Sequence, residues 1–130
     1  MKKFLFLTSI LVLIDQLTKF SFQEKNYEIF SFFSIHYAEN TGSAFSLFQG
    51  YNIIFIFISF IALGLVIYYF RKYPLGLSLV VAGILGNLID RLIFGFVRDF
   101  ISIGLWPTFN IADACNTIGV CILLYYVSKD

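Results

Sequence analysis

The chain has 130 residues, of which 59% are hydrophobic and 13% charged, and its mean hydropathy is +0.85. A soluble domain of this length cannot bury so much apolar surface, so the composition predicts a membrane protein. The formal net charge of +1 gives no indication of a nucleic-acid partner. One histidine and two cysteines are too few for a zinc site or a disulfide scaffold, so we expect no metal and no cofactor.

Four apolar stretches each approach the roughly 20 residues that a membrane-spanning helix requires. Pro74 and Pro107 stand just before the third and fourth stretches, where helices commonly begin. The basic start of the chain is typical of a secretory signal peptide, but no small-residue cleavage site follows, so we interpret the first stretch as a retained helix. We therefore expect one integral membrane domain over residues 1–130, with spans at Phe4–Phe20, Tyr51–Phe70, Leu75–Phe94 and Phe109–Val127.

The distribution of basic residues predicts the orientation of the spans. Lysine and arginine mark the cytoplasmic side of a membrane protein. Here they fall at the start of the first span, in the turn between the second and third spans, and at the C-terminus, as Lys2, Lys3, Arg71, Lys72 and Lys129. An even number of spans places these positions on one face, so we expect both termini to be cytoplasmic. The longer segments 21–50 and 95–108 then lie outside, where we expect the protein to act.

The outer segments are predicted to form a small β-sheet. Ile29–Tyr37 is aromatic and β-branched, as expected for a strand. Phe96–Ile103 alternates with a period of two, which places Asp99 on one face and Arg98 on the other. Ser43–Phe48 is predicted to form a short interfacial helix. The expected fold class is therefore a mainly α membrane protein with four transmembrane helices, a small extracytoplasmic β-sheet and a short interfacial helix.

Four carboxylates lie in or beside the membrane, where an ionisable group is energetically costly and has either a partner or a function. Asp15 and Lys19 are four residues apart on one helix face and can neutralise each other. Asp90 and Arg91 share a polar stripe of the third span with Asn87, a pattern typical of contacts between helices. Internal ion pairs and interhelical hydrogen bonds therefore explain the first two carboxylates, Asp15 and Asp90.

Asp99 and Asp113 have no such explanation in the sequence. Arg98 adjoins Asp99 but points to the other face of the predicted strand, and no basic residue lies within one helical turn of Asp113. Both carboxylates are predicted at the outer interface, where antiparallel spans can bring them together. Two carboxylates in a partly dry site share one proton, and such a pair can deprotonate a water while protonating a carbonyl oxygen or a leaving group. The alternative is that Asp113 is a buried packing residue and Asp99 a solvated strand residue.

Other nucleophiles find less support in the sequence. Cys115 and Cys121 lie about 240° apart around one helix, so they are interpreted as packing residues rather than a disulfide. A thiol peptidase would need His36 as its base, and no orienting partner for this histidine is indicated. A catalytic pair of Ser43 or Ser46 with Lys19 is the third possibility. It would have to compete with the ion pair between Lys19 and Asp15.

The rival hypothesis from another class is a small four-helix transporter or channel subunit. Its coupling carboxylates would lie near the bilayer midplane. In this sequence the buried acids lie toward the outer ends of the predicted helices, which favours chemistry at the interface.

Five short segments along the chain match the sequence patterns of a known family, and they occur in the same order as in that family. They are Asp15-Gln16-Leu17-Thr18-Lys19 for D-Q-x-x-K, Asn40-Thr41-Gly42-Ser43-Ala44-Phe45-Ser46 for N-x-G-A-A-F-S, Gly83–Arg91 for G-x-x-G-N-x-x-D-R, Val97-Arg98-Asp99-Phe100 for V-x-D-F, and Phe109–Asp113 for F-N-x-A-D. Through these segments the chain resembles bacterial lipoprotein signal peptidase, also called signal peptidase II. Each segment alone is a weak indicator of the family, whereas five of them in this order, within a chain of four predicted spans, are highly specific.

The resemblance implies an aspartic endopeptidase of the bacterial cytoplasmic membrane that cleaves a prolipoprotein just before a cysteine carrying diacylglycerol. It maps the family's catalytic pair onto Asp99 and Asp113. The implied partners are the lipidated precursor and membrane lipid, and we expect a monomer. Small Ala112 is expected to leave room for the substrate backbone. The resemblance further implies supporting roles at the site for Asn40, Gly42, Asn87, Arg91, Asn110 and Ala112, and structural roles for Asp15, Lys19 and Asp90.

The chain departs from the family pattern at a few positions. Ala82 stands where a second glycine is common, and Ser43 stands where alanine is usual. Asn116 occupies a position that the family usually fills with an apolar residue, on the same helix face as Asp113, and we expect it to alter the hydrogen bonding of the site. The positive charge of Arg98 is expected to lower the pKa of the neighbouring aspartate.

Overall fold

The computed structural model describes residues 2–42 and 48–130 and contains four helices in the described ranges. Three of them are long and apolar enough to cross a membrane, and the fourth is a shorter apolar helix of 17 residues. The four predicted spans are thereby confirmed as helices, and the protein is a multi-pass membrane protein. The helices are α1 (Lys2–Phe22), α2 (Asn52–Tyr69), α3 (Pro74–Ile93) and α4 (Ile111–Val127).

Helix α3 lies at the centre of the helical bundle and contacts the other three helices. Glycines on its surface let the neighbouring helices approach closely, as is common in membranes. A side-chain carbon added at Gly76 would overlap Leu123 of α4, and one added at Gly86 would overlap both Asp15 of α1 and Ala112 of α4. Helix α2 has no buried residue; it packs on α3 and leaves most of its apolar surface available to lipid.

The segments between α1 and α2 and between α3 and α4 form an antiparallel three-stranded sheet in the order β1-β2-β3. One prediction was wrong here, because the segment Ile29–Tyr37 is not a single strand. A turn at residues 31–32 divides it into the end of β1 and most of β2, with Phe30 opposite Phe33. The turn contains neither glycine nor proline, so the aromatic run gave no signal for it. The strands are β1 (Asn26–Phe30), β2 (Phe33–Asn40) and β3 (Val97–Ile103).

Strand β3 connects the sheet to the helices. It follows α3 after a short turn containing Gly95, which has a φ of +82°. It pairs with β2 from Phe33↔Ile103 to Asn40↔Val97, so the end of β2 lies beside the start of β3. The predicted interfacial helix at Ser43–Phe48 falls almost wholly on residues 43–47, which lie outside the described residues.

Candidate active site

A buried cluster of charges joins α1, α3 and β3 at one end of the bundle. Lys19 Nζ lies 2.8 Å from Asp15 Oδ2 and 3.4 Å from Asp90 Oδ2, and Arg98 Nη2 lies 2.8 Å from Asp90 Oδ1. Lys19 and Asp90 are completely buried. Buried charges are tolerated when they are paired and hydrogen-bonded, and here two cations are matched by two carboxylates. The Asp15–Lys19 pair therefore belongs to a larger neutral cluster.

Gln16 completes this cluster, although the sequence analysis gave it no role of its own. Its Nε2 donates to Asp90 Oδ1 at 3.2 Å and to the Gly86 carbonyl at 3.0 Å, and its Oε1 accepts from Arg98 Nη2 at 3.0 Å. The signal was present in the sequence, because Gln16 directly follows Asp15 in the D-Q-x-x-K segment. An amide is suited to this position because it can donate to the carboxylate and accept from the guanidinium at the same time.

The structure corrects the expectation that Arg98 lowers the pKa of Asp99. The guanidinium of Arg98 binds Asp90 and Gln16 on one side of β3, while the Asp99 side chain lies on the other side, where it is only 3% exposed. Burial and, next, the nearby carboxylate of Asp113 together raise the pKa of Asp99 to about 7. The alternation of side chains along a strand keeps the adjacent arginine away from this carboxylate.

The Asp99 carboxylate is held by two neutral amides. Asn110 Nδ2 donates to its Oδ1 at 2.7 Å, and Asn40 Nδ2 donates to its Oδ2 at 3.2 Å. These hydrogen bonds lower the pKa of Asp99, but they do not outweigh its burial. Asp99 is therefore a carboxyl group that can hold a proton near neutral pH.

The Asp113 carboxylate is oriented by the start of α4. Asn110 caps this helix by accepting the Asp113 backbone N–H at 2.9 Å, while Asp113 Oδ2 accepts the Asn110 backbone N–H at 3.2 Å. This reciprocal arrangement is a capping box. It explains why α4 begins at Ile111, two residues later than the start of the predicted span at Phe109. The other oxygen, Asp113 Oδ1, accepts from Asn87 Nδ2 of α3 at 2.8 Å.

Two asparagines connect the two carboxylates through hydrogen bonds. Asn110 Nδ2 donates to Asp99 and also to Asn87 Oδ1 at 3.0 Å, and Asn87 Nδ2 donates to Asp113. Lys19 Nζ also donates to Asn87 Oδ1, at 3.1 Å, which fixes the amide in the orientation that points its nitrogen at Asp113. Across residues 2–42 and 48–130, neither carboxylate has a cation within ion-pair distance. The groups that contact the pair are therefore neutral donors.

Both carboxylates line one cavity of about 340 Å³, which is open on one side. The lining includes four of the predicted supporting residues, Asn40, Gly42, Asn87 and Arg91. Asn110 is fully buried behind the carboxylates. The cavity thus brings together side chains from β2, α3, β3 and α4, with an apolar rim that includes Trp106 and Pro107.

Ala112 has a different role from the one expected. It is 1% exposed and does not line the cavity in the described part of the chain. Its side chain faces Gly86 of α3 and its backbone N–H donates to Asp15 Oδ1 at 2.8 Å. Its small size therefore allows α3 and α4 to approach each other, rather than making room for a substrate.

Arg91 binds the segment beside the cavity instead of a carboxylate. Its Nη2 donates to the Gly42 carbonyl at 2.7 Å and its Nη1 donates to Asn52 Oδ1 at 3.2 Å. Its guanidinium also lies over the ring of Phe55, 4.8 Å from the centroid. The sequence analysis missed Asn52, which is the first residue of α2.

The alternative nucleophiles are not assembled in the described residues. Cys115 is buried and Cys121 exposed, and both are free. His36 is exposed on β2. Lys19 is completely buried among its carboxylate partners, which removes it as a base for the serines of segment 43–47. In the described ranges the cavity lining therefore includes the two carboxylates but not the cysteines, His36 or Lys19.

The fold and the cavity define a multi-pass membrane protein with a pair of buried carboxylates at one end of its helical bundle. Comparison with known proteins identifies the group to which it belongs. The family model described as Signal peptidase (SPase) II matches residues 7–129. The chain therefore belongs to the signal peptidase II family and is a membrane protease.

Individual relatives agree with this assignment. The chain is similar to the lipoprotein signal peptidase of Thermodesulfovibrio yellowstonii, with 38% identity over 89% of this chain and 88% of the relative. It is 40% identical to the lipoprotein signal peptidase of Dehalococcoides mccartyi, over 91% of this chain and 85% of the relative. A solved structure of a bacterial membrane enzyme superposes with a TM-score of 0.90 at 31% identity, covering all of this chain and 90% of the other.

Proposed function

We propose that this protein removes signal peptides from prolipoproteins by cleaving just before a diacylglyceryl-modified cysteine, and that Asp99 and Asp113 form the catalytic dyad. The observation that carries this proposal is the shared cavity, in which two buried carboxylates are joined through Asn110 and Asn87 without a cation at either one. Membership of the signal peptidase II family supports the substrate class.

The mechanism follows from one proton shared by two acids. One carboxylate accepts a proton from a water molecule as the water oxygen bonds to the scissile carbonyl carbon, and the other donates its proton to the carbonyl oxygen. The tetrahedral intermediate then collapses: the C–N bond breaks as the carboxyl that took the proton from water donates it to the leaving amine, and the proton on the former carbonyl oxygen returns to the other carboxylate, which restores the pair with one proton. The raised pKa of Asp99, about 7, supports the presence of a shared proton at neutral pH. The proton belongs to the pair rather than to either residue.

The proposed location is the bacterial cytoplasmic membrane, with both termini in the cytoplasm and the cavity at the outer face. The basic residues Arg71 and Lys72 lie in the turn before α3, whereas the cavity lies at the other end of α3, next to β3. The positive residues therefore support a cytoplasmic position for the end remote from the cavity. We further propose that the chain acts as a single-domain monomer over residues 1–130, with membrane lipid and the lipidated precursor as its partners.

A transporter has less support than a peptidase. Asp90 lies three residues before the end of α3 and Asp113 is the third residue of α4, so neither is at the middle of its helix. Coupling carboxylates of transporters lie near the bilayer midplane. Asp15 and Asp90 are also fully engaged in the buried cluster.

The proposal is tested by replacing each acid of the dyad. Asp99→Asn and Asp113→Asn are each expected to abolish cleavage of a diacylglyceryl prolipoprotein in detergent. An amide side chain can neither accept the proton of the water nor donate one to the carbonyl oxygen. Asp130→Asn, at an exposed carboxylate beside Lys72, serves as the matched control and is expected to retain activity. Substantial cleavage by either purified dyad variant would refute the dyad, and equal cleavage of an unlipidated precursor would refute the lipid requirement.

A further inference from the structure

Asn116 is a polar side chain in the cavity that the proposed mechanism does not use. It lies on α4 three residues after Asp113, and both side chains line the same cavity. Its Oδ1 is buried and has no hydrogen-bond partner in the part of the chain that the structure describes. Every other buried side-chain oxygen or nitrogen in that part is satisfied, so this atom stands out.

The contacts of Asn116 make the unsatisfied oxygen costly. Its amide packs on Gly83 of α3, where a side-chain carbon would overlap both Asn116 Oδ1 and the Ala112 carbonyl oxygen. Two acceptors therefore face the same glycine, which has no side chain to donate to either. Rotation of the amide by half a turn exchanges its oxygen and nitrogen, which places a donor on the side of Gly83 and the Ala112 carbonyl and turns the oxygen toward the cavity. In the orientation that the structure shows, the buried oxygen has no donor, and a buried polar atom without a partner costs about 1–3 kcal/mol.

The missing donor fits the backbone of a bound peptide. A peptide must be extended at the bond being cleaved, and its backbone N–H groups then need partners because lipid offers none. Asn116 lies about 4.5 Å further along α4 than Asp113, at a rise of about 1.5 Å per residue, toward the middle of the helix. The part of the substrate on this side of the scissile bond is the signal peptide, which enters from the membrane.

We propose that Asn116 is a substrate-binding residue whose Oδ1 accepts a backbone N–H of the bound signal peptide on the membrane side of the scissile bond. This inference rests on the proposed function, since it assumes that the cavity binds a signal peptide. It gives a role to a polar side chain that lines the same cavity as Asp113 and has an unsatisfied oxygen.

The test combines a variant with a modified substrate. Asn116→Leu replaces the amide with an apolar group of similar size and is expected to raise KM about fivefold while kcat changes less than twofold, the effect of one neutral hydrogen bond. A synthetic lipopeptide in which one backbone N–H before the scissile bond is replaced by an ester oxygen removes the donor instead. At one ester position the KM of the wild-type protein should rise by the same factor, and the KM of Asn116→Leu should not rise further. Thr18→Val is the control, because the Thr18 hydroxyl is bonded within α1 to the Ile14 and Asp15 carbonyls.

Binding measured without cleavage separates this inference from the proposed mechanism. In an Asp99→Asn background, the dissociation constant of the amide lipopeptide should rise about fivefold on adding Asn116→Leu, and the ester lipopeptide should show no such rise. Asn116→Leu should also melt at the same or a higher temperature than the wild type, because it removes an unsatisfied polar atom. An unchanged dissociation constant would overturn the proposal. So would a lower melting temperature of Asn116→Leu together with an equal loss of affinity for the amide and ester peptides. The proposal would also be overturned if, at every ester position, the factors by which the ester and the variant raise the dissociation constant multiplied, because the two changes would then act independently.

Discussion

Asp99 is expected to destabilise the folded protein at neutral pH, and its replacement by asparagine should therefore stabilise it. The pKa of Asp99 is raised from 3.8 to about 7, chiefly by burial and next by Asp113. The unfolded chain releases this proton near pH 4 and the folded protein near pH 7, so folding takes up a proton between these values. The free energy of unfolding therefore decreases as the pH rises from about 4 to about 7.

The size of the effect follows from the shift. The rise in the pKa of Asp99 from 3.8 to about 7 corresponds to a decrease of about 4 kcal/mol in the free energy of unfolding above pH 7. Asn at position 99 avoids this loss but would present its nitrogen to a neighbouring amide nitrogen, such as that of Asn40, which donates to the carboxylate. One lost hydrogen bond costs about 1 kcal/mol, so we expect Asp99→Asn to gain about 2–3 kcal/mol at pH 8. Such a gain corresponds to a rise in melting temperature of several degrees.

Thermal unfolding in detergent between pH 5 and pH 8.5 measures this effect directly. The melting temperature of the wild type should fall across this range, while that of Asp99→Asn should be flatter and higher above pH 7. Asp130→Asn, whose carboxylate is exposed, should follow the wild type. An Asp99→Asn variant that melts below the wild type at pH 8, or a wild type whose melting temperature does not depend on pH, would show that burial of Asp99 does not have the electrostatic consequence derived above.

Two further predictions concern the charges around the site. Cleavage by the wild type should decline as the pH rises above about 7, because the shared proton is lost as Asp99 ionises; a pH profile of kcat/KM that stays level to pH 9 would contradict this. Lys19→Met should destabilise the protein by about 3–5 kcal/mol, because it leaves Asp15 and Asp90 without their shared buried cation. Lys129→Met, at an exposed lysine, should leave the melting temperature unchanged, and equal melting of both variants would refute a stabilising role for the cluster.

The sequence was sufficient to predict the helices and to single out two carboxylates for one site. The apolar stretches are long and their ends are marked by basic residues or proline, so the helices were recognisable from composition alone. Asp99 and Asp113 were found by elimination, because no basic residue shared a strand face with Asp99 or lay within one helical turn of Asp113. The structure brings both to one cavity, but the catalytic role given to them stays a proposal.

The relations that the sequence did not predict are those between distant side chains. The turn inside Ile29–Tyr37 has no glycine or proline to mark it. The link through Asn87 and Asn110 depends on the closeness of α3 and α4, which the glycines of α3 allow but which no local pattern specifies. The wrong expectation for Arg98 had a different origin: the strand alternation already placed it opposite Asp99, and adjacency in sequence was given too much weight.

The buried charges near the dyad show how the protein keeps cations away from it. A cation paired with Asp99 or Asp113 would hold that carboxylate ionised and remove the shared proton. Three cations lie close by, and each is bound elsewhere: Lys19 by Asp15 and Asp90, Arg98 by Asp90 and Gln16, and Arg91 by the Gly42 carbonyl and Asn52.

Asp90 is central to this arrangement, since it binds two of the three cations without lining the cavity in the described part of the chain. The side chains that do contact the dyad, Asn40, Asn87 and Asn110, are neutral donors that can orient a carboxylate in either protonation state. The acidic chemistry proposed for the cavity thus depends on a carboxylate to which we assign no step of the reaction, because Asp90 binds Lys19 and Arg98 and so keeps them from pairing with the proposed dyad.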